Sequence, residues 1–344
     1  MESINRPELV KEHNLNLVRQ HLFQMRTATR QQLSAATGIS NVTMGSLLSQ
    51  LLENGEALET KKVQPATGRP AGVYSYNACR QYGLLLSVGF VKTEYRFRAE
   101  LVDLYGNSHW QEERPIACLN EKETLEYLHR LTEIKQPVGA VGIGLPGVGF
   151  GEYLYKNRGK QAEYLSLAAL EDFQQQEGIP IQVENDVNLA AVGYAKRHGI
   201  GKGECLVYLY LMQGSFGGSA VFLDGRLHLG KGRFAGELLP LPYGSAWFRM
   251  KPEEPEVLIN ALFTTILPYL TILAPHHLVV ASDYIQEEHL RAAEKRLSEL
   301  LEEHCPEFSL TTDFWSDYQK GLEQIALEQL PFPVGHGTPE GQEL

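Results

Sequence analysis

Ile181-Gln182-Val183-Glu184 runs into Asn185-Asp186, and Val187 to Lys196 follows with a helical pattern. The segment reads as a strand passing directly into a helix, with polar residues at the junction. Open α/β folds bind ligands at such strand ends. An acid at a helix start is also a common cap, so the junction alone does not define a site.

Outward from this junction the chain repeats itself. Leu84-Leu85-Leu86-Ser87-Val88 is a strand, followed by a turn and by Arg98 to Gly106. About 120 residues later, Cys205 to Tyr210 is a strand, followed by a glycine loop and Ser219 to Gly225. Each unit reads strand, loop, strand ending in a turn. Strands alternating with helices from Gly83 onward predict an α/β domain. The duplication predicts two lobes, about 81–200 and 201–330, with a cleft between them. Val141-Gly142-Ile143-Gly144-Leu145-Pro146-Gly147 is a strand entering a glycine-proline loop, which lets backbone approach a ligand closely. Gly232-Arg233-Phe234-Ala235-Gly236-Glu237 places one acid after small residues.

The first 80 residues differ. Leu15, Val18, Leu22 and Phe23 share a face of a helix from about Leu9 to Met25. Thr29 offers an N-cap to Arg30–Ala36, Gly38-Ile39 makes a tight turn, and Ser40 caps a helix from Asn41 to Glu53. Two short helices across such a turn form a helix-turn-helix, whose second helix enters the major groove. Asn41, Thr43, Ser46 and Gln50 point outward on it, and Ser40 stands at its start. Asn and Gln read adenine edges, and Ser and Thr are versatile. Arg30 is placed for a phosphate. Ala57–Val63 and Val73–Tyr76 alternate as strands around a tip containing Gly68-Arg69, a wing suited to the minor groove.

Charge follows the same division. The whole chain of 344 residues carries −11. Residues 1–82 hold nine Lys/Arg against six Asp/Glu, and residues 83–344 hold 22 against 36. A head at +3 on a body at −14 fits a DNA-binding module on a small-molecule domain. Cys79, Cys118, Cys205 and Cys305 are scattered, which predicts neither a disulfide framework nor a cysteine zinc site. Met1 to Asn16 lacks a signal-peptide pattern, and no stretch is expected to approach the ~20 apolar residues of a membrane span. A cytoplasmic protein is expected, without membrane contact. Residues 331–344, rich in Pro and Gly, read as a flexible tail.

These segments, in this order, resemble the ROK family of repressors and sugar kinases. The resemblance rests on Gly68-Arg69-Pro70, Gly144-Leu145-Pro146-Gly147, Glu184-Asn185-Asp186-Val187-Asn188 and Ala235-Gly236-Glu237. It implies an actin-like ATPase fold over about 81–330 behind a winged helix over 1–80. It also implies that Asn185, Asp186 and Glu237 bond sugar hydroxyls, with Asn157 near a further sugar contact. Carboxylates and amides suit that task. In family kinases the acid matching Asp186 is the general base.

The departures bear on activity. The Asp-x-Gly-x-Thr-like phosphate loop of family kinases is replaced by Ser87-Val88-Gly89-Phe90, and the second phosphate loop by Gln213-Gly214-Ser215-Phe216-Gly217-Gly218. Ser282-Asp283 stands where the family has a glycine pair near the adenosine. Phosphoryl transfer depends on positioning and neutralising phosphate charge, so kinase activity is expected to be lost. Leu238-Leu239-Pro240-Leu241 follows Glu237 where relatives have a Gly-His pair and a cysteine cluster, so no structural zinc and no cofactor are expected. Ser46 stands where many family repressors have arginine, and Gly45 weakens the helix by up to ~1 kcal/mol relative to Ala.

The combined expectation is a ligand-controlled repressor. Its partners would be a double-stranded DNA operator, a sugar or sugar-phosphate effector, and further copies of itself in a dimer or higher homo-oligomer. Lys156, Arg158 and Lys160 flank Asn157; they would hold a phosphate if Asn157 lines the pocket, and otherwise form a solvated basic loop. The alternatives are a sugar kinase with a DNA-binding head and a regulator switched by a protein partner.

Overall fold

In the computed structural model the chain divides after Gln81 into two compact units. The structure describes residues 6–63, 71–91, 94–134, 137–147, 153–156 and 164–330. Gly68, Arg69, Asn157, Arg158 and Lys160 lie outside the described residues, as does the tail 331–344.

The N-terminal unit contains α1 (Arg6–Met25), β1 (Thr27–Thr29), α2 (Arg30–Thr37), α3 (Asn41–Glu53), β2 (Ala57–Val63) and β3 (Ala71–Tyr76). Capping chemistry sets its helix boundaries. Thr29 and Gln32 form a capping box at the start of α2, and Gly38 ends it at φ 73°. Ser40 Oγ accepts from Thr43 N at 3.2 Å to open α3. Leu15, Val18 and Leu22 of α1 are buried, with Leu33 of α2 and Met44, Leu47, Leu48 and Leu51 of α3. The strands pair antiparallel in the order β1-β3-β2. β1 was not foreseen, because three residues are too short to show a period. Glu56 joins this unit's parts: its buried carboxylate accepts from Arg19 Nε at 2.6 Å and from Asn54 Nδ2 at 3.2 Å.

The larger unit repeats one topology. Its first half holds β4 (Tyr82–Val91), β5 (Glu94–Val102), β6 (Ser108–Ile116), α4 (Glu121–Thr132), β7 (Val138–Leu145), β8 (Tyr153–Lys156), β9 (Tyr164–Ser166), α5 (Leu167–Glu177), β10 (Ile181–Asn185) and α6 (Asp186–His198). Its second half holds β11 (Cys205–Tyr210), β12 (Gly218–Leu223), β13 (Arg226–Leu227), α7 (Pro255–Leu273), β14 (His277–Ala281), α8 (Glu287–Leu301), β15 (Glu307–Thr311) and α9 (Phe314–Leu327). The first sheet runs β6-β5-β4-β7-β10 and the second β13-β12-β11-β14-β15. In both, the first three strands are antiparallel and the last two join in parallel. Each lobe has its own buried cluster, built around Leu84, Phe97 and Tyr127 in one and Leu209, Trp247 and Leu262 in the other.

The two lobes meet along α6 and α9. A Cβ on Gly193 would lie 1.8 Å from the carbonyl oxygen of Asp317, and one on Gly321 would lie 1.9 Å from that of Leu189. The helices therefore cross antiparallel with their backbones in contact. α6 also packs on β11 and β12, and α9 on β4 and β7, so each helix leaves its own lobe to cover the other's sheet.

α7 corrects one expectation. With 19 residues and a mean hydropathy of 1.6, it is long and apolar enough to cross a membrane. Here Leu258, Ile259, Leu262, Ile266 and Leu270 enter the second lobe's core instead. Its composition reflects a helix that supplies much of that core.

Candidate functional site

The junction quoted first is built as a cap. Asn185 Oδ1 accepts from Asn188 N at 2.7 Å, which opens α6, and leaves its amide nitrogen outside the cap. Asp186 is the first residue of the helix, and its carboxylate accepts from Val187 N at 2.9 Å. The backbone N–H of Gly147 also donates to it. Burial raises the Asp186 carboxyl to about 6 against these backbone bonds, although its side chain keeps partial exposure. Burial is the stronger effect because no cation among the described residues offsets it, and hydration is what an exposed carboxylate would otherwise have.

Glu237 approaches from the second lobe. Burial raises its carboxyl, and the charge of Asp186 adds to the shift. The two acids come from different lobes and lie near enough for the charge of Asp186 to raise Glu237. Gly236, at φ 95°, makes this possible: a Cβ there would lie 2.1 Å from Ser219 O. Ser219 N donates to Gly236 O at 2.9 Å, and Ser219 Oγ bonds the same oxygen and Tyr269 Oη of α7. Tyr269 is raised by its burial and by the charge of Glu237. The small residues before Glu237 therefore press this loop onto β12.

Glu184 and Arg233 form a second link between the lobes. The Glu184 carboxylate is buried and accepts from Asn188 Nδ2 at 2.8 Å, from Asn185 N at 3.0 Å and from the Arg233 guanidinium. This pair has no local sequence signature, since its members stand 49 positions apart.

The Gly144-Leu145-Pro146-Gly147 loop was expected to bring backbone to a ligand. Gly144 instead makes room for a side chain: a Cβ there would lie 2.1 Å from Tyr318 Oη and 2.8 Å from Leu189 Cδ1. Tyr318, buried in α9, bonds Ser87, and burial with the nearby Asp186 charge pushes its phenol up. Gly147, at φ 82° with nothing near its Cβ position, is the residue of this loop that touches Asp186.

Asp283 and Ser282 are ordered by the second glycine loop. Asp283 Oδ1 accepts from Gln213 N at 2.9 Å. Ser282 Oγ donates to Leu211 O at 2.7 Å and accepts from Ile285 N at 3.0 Å. Burial and the charges of Asp186 and Asp283 raise Tyr210 to about 12. Asp186 and Asp283 thus make the surroundings of Tyr210 acidic.

In the N-terminal unit, the outward residues of α3 differ in their freedom. Ser40 and Thr43 are tied to the cap, their hydroxyls 3.0 Å apart. Asn41 Oδ1 accepts from Ser34 Oγ at 3.1 Å. Ser46 is exposed and Gln50 half-buried. Gly45 faces Arg30, whose Nη1 lies 3.1 Å from the position a Cβ would take. Arg30 therefore lies along the outer face of α3, a placement not foreseen from α2 alone.

Comparisons with known proteins extend this picture. Residues 95–239 match the model of the ROK family. The chain is similar to the xylose repressor of Bacillus subtilis, at 24% identity over 246 residues. That match covers 67% of this chain and 60% of the relative's length. Among solved structures, a ROK family transcriptional regulator described as a homologue of the E. coli MLC protein superposes with TM-score 0.60 at 15% identity, covering 93% of this chain and 98% of that one. A ROK hexokinase from Thermus thermophilus superposes with TM-score 0.53 at 16% identity, covering 70% and 97%.

Proposed function

We propose that this chain, whose residues 95–239 match the ROK family model, is a transcription repressor controlled by a sugar or sugar phosphate bound between Asp186 and Glu237. The observation that carries this reading is that Asp186 and Glu237, from opposite lobes, lie near enough for the charge of one to raise the other's carboxyl. A polyol bonded to both would draw the lobes together, and a ligand acts on a conformational equilibrium only by binding one state better. The names of the relatives, a xylose repressor and a transcriptional regulator, favour this class.

Residues 1–80 are read as a winged helix-turn-helix, 81–330 as the sensing domain in two lobes, and 331–344 as a tail. Helix α3 would lie in the major groove, with Asn41, Thr43, Ser46 and Gln50 toward base edges, Ser40 at its start and Arg30 on phosphate. Gly68 and Arg69 would form the tip of the wing, and Asn157 would complete the sugar site with Asn185. A homodimer would read two half-sites one or two helical turns apart. This reading places the protein in the cytoplasm.

Fluorescence anisotropy on DNA from upstream of its own gene, at fixed salt, tests the proposal. Sequence-dependent binding weakened by one sugar or sugar phosphate is the expected result. Asp186→Asn should keep the DNA affinity and lose the response. Binding that no compound alters would move the control to a protein partner.

A second reading, a sugar kinase, draws on one observation. A carboxyl raised to about 6 at Asp186 is near the range a general base needs. Asp283 in the cleft and Ser87 in place of the family's acid weigh against it, since both alter where a phosphate's charge would be met. A coupled assay for ATP turnover over a sugar panel is expected to give no activity; turnover would establish the kinase.

A further inference from the structure

The first sheet has a bare flank beside α9. The helix packs on β4 and β7, and beside it opens a groove of about 620 Å³ lined by Ser87–Gly89 of β4, by β5, by Glu113 of β6 and by the first turns of α9. Phe97, Ala99 and Leu101 of β5 are buried in the core on the sheet's other side. Alternation then turns Arg96 and Arg98 into the groove, where Arg197 of α6 and Lys320 of α9 join them. Four cations in one groove contrast with a body that carries −14.

These cations are not equally engaged. Arg197 Nη1 is held by the buried Asp317 at 2.8 Å and by Asp313 at 3.4 Å. Arg96 pairs with Glu113 at 3.0 Å and Lys320 with Glu323 at 2.6 Å. The latter two pairs are partly exposed, and such pairs contribute little and can exchange partners. Arg98 has no carboxylate partner among the described residues. At the groove's end Trp315 is 67% exposed, yet its ring is held edge-on by Phe314 at 5.2 Å and Tyr318 at 5.6 Å. An indole fixed at its edges and open to solvent offers a flat apolar surface in the same groove as the Arg98 guanidinium.

We propose that this groove binds a small organic anion, a carboxylate or phosphomonoester on a flat apolar body, with Arg98 on the anion and Trp315 against the body. A guanidinium meets either group with two parallel hydrogen bonds, and the volume suits a small molecule. Neither Asp186 nor Glu237 lines the groove, although its wall at Ser87 and Tyr318 lies within reach of the Asp186 charge. Its ligand would touch β5 of the first lobe and the start of α9, which leaves β15 of the second. It therefore acts as a second effector by holding the lobes in one relative position. The inference does not depend on the sugar reading.

The full-length protein is titrated calorimetrically with phenyl phosphate, benzoate and neutral benzyl alcohol, following tryptophan emission in parallel. One or both anions are expected to bind and benzyl alcohol not to, and the preferred anion identifies the ligand's acidic group. Arg98→Gln should weaken that binding about tenfold or more, as loss of a charge-assisted bond does, with Arg98→Lys intermediate and thermal midpoints unchanged. Trp315→Phe should remove the emission change. Failure of both anions to bind, or equal affinity in Arg98→Gln, would overturn the proposal. Displacement of the probe by Mg-ATP would also overturn it, by making the groove part of a kinase-type nucleotide site.

Discussion

The guanidinium of Arg30 lies over Gly45, with Nη1 3.1 Å from where a Cβ would stand. This explains a glycine in the middle of α3, where its cost is otherwise up to about 1 kcal/mol relative to alanine. Gly45→Ala should raise the stability of the N-terminal unit by a few tenths to about 1 kcal/mol, because Arg30 is flexible and can swing away. The same change should weaken DNA binding and reduce the slope of log affinity against log salt by about one. Thermal melts and anisotropy at several salt concentrations separate the two effects. An unchanged slope would mean that Arg30 meets no phosphate.

Asp186 gives a pH dependence whose sign follows from its environment. Its folded value, about 6, lies above the ordinary 3.8. The folded state therefore holds the proton more tightly, and this favours folding fully below about pH 4. The advantage disappears as pH rises from there through 6. Asp186→Asn removes the charge, so it should raise the thermal midpoint at pH 7.5 and leave it nearly unchanged at pH 3.5. A variant equally stabilised at both pH values would show that burial is not the cause.

The crossing of α6 and α9 tolerates no side chain at its centre. Gly193 stands seven residues after Asp186, and Gly321 seven after Phe314, so the two lobes supply equivalent glycines. The obstruction at each is a backbone oxygen, which cannot rotate away. Gly193→Ala or Gly321→Ala should cost about 3 kcal/mol or more through forced separation of the helices. Calorimetry of each variant would test it, and a loss near the 1 kcal/mol scale of helix propensity, in either direction, would contradict the contact.

What could be read in advance follows from the range of each interaction. The strand-to-helix junction at Asn185 and Asp186, the caps at Thr29 and Ser40, and the duplicated strand pairs all rest on neighbours in sequence, and periodicity records such neighbours. The role of Gly144 has no local sign because the tyrosine that fills its space, Tyr318, stands far along the chain. A glycine marks a close approach without naming what approaches. The same holds for Gly193 and Gly321, whose partners across the crossing stand more than a hundred residues away. Arg233 was visible beside Ala235-Gly236-Glu237, yet nothing local tied it to Glu184. β1 escaped because strand pairing, not pattern, defines it.

Arg233 carries the last prediction. Its guanidinium faces the buried carboxylate of Glu184 in the first lobe, and it stands four residues before Glu237 in the second. Arg233→Ala would leave Glu184, among the described residues, the Asn188 amide and the Asn185 backbone N–H. Breaking a buried pair by removing one member costs about 3 kcal/mol because the other charge remains. The loop holding Glu237 also loses its tie to the first lobe, so sugar affinity should fall about tenfold while operator affinity without sugar holds. Glu184→Gln with Arg233→Ala should recover much of the stability, since no uncompensated charge is then buried, but not the sugar affinity. Recovery of both would mean that Arg233 only neutralises Glu184. Recovery of stability alone would mean that the salt bridge sets the position of the loop.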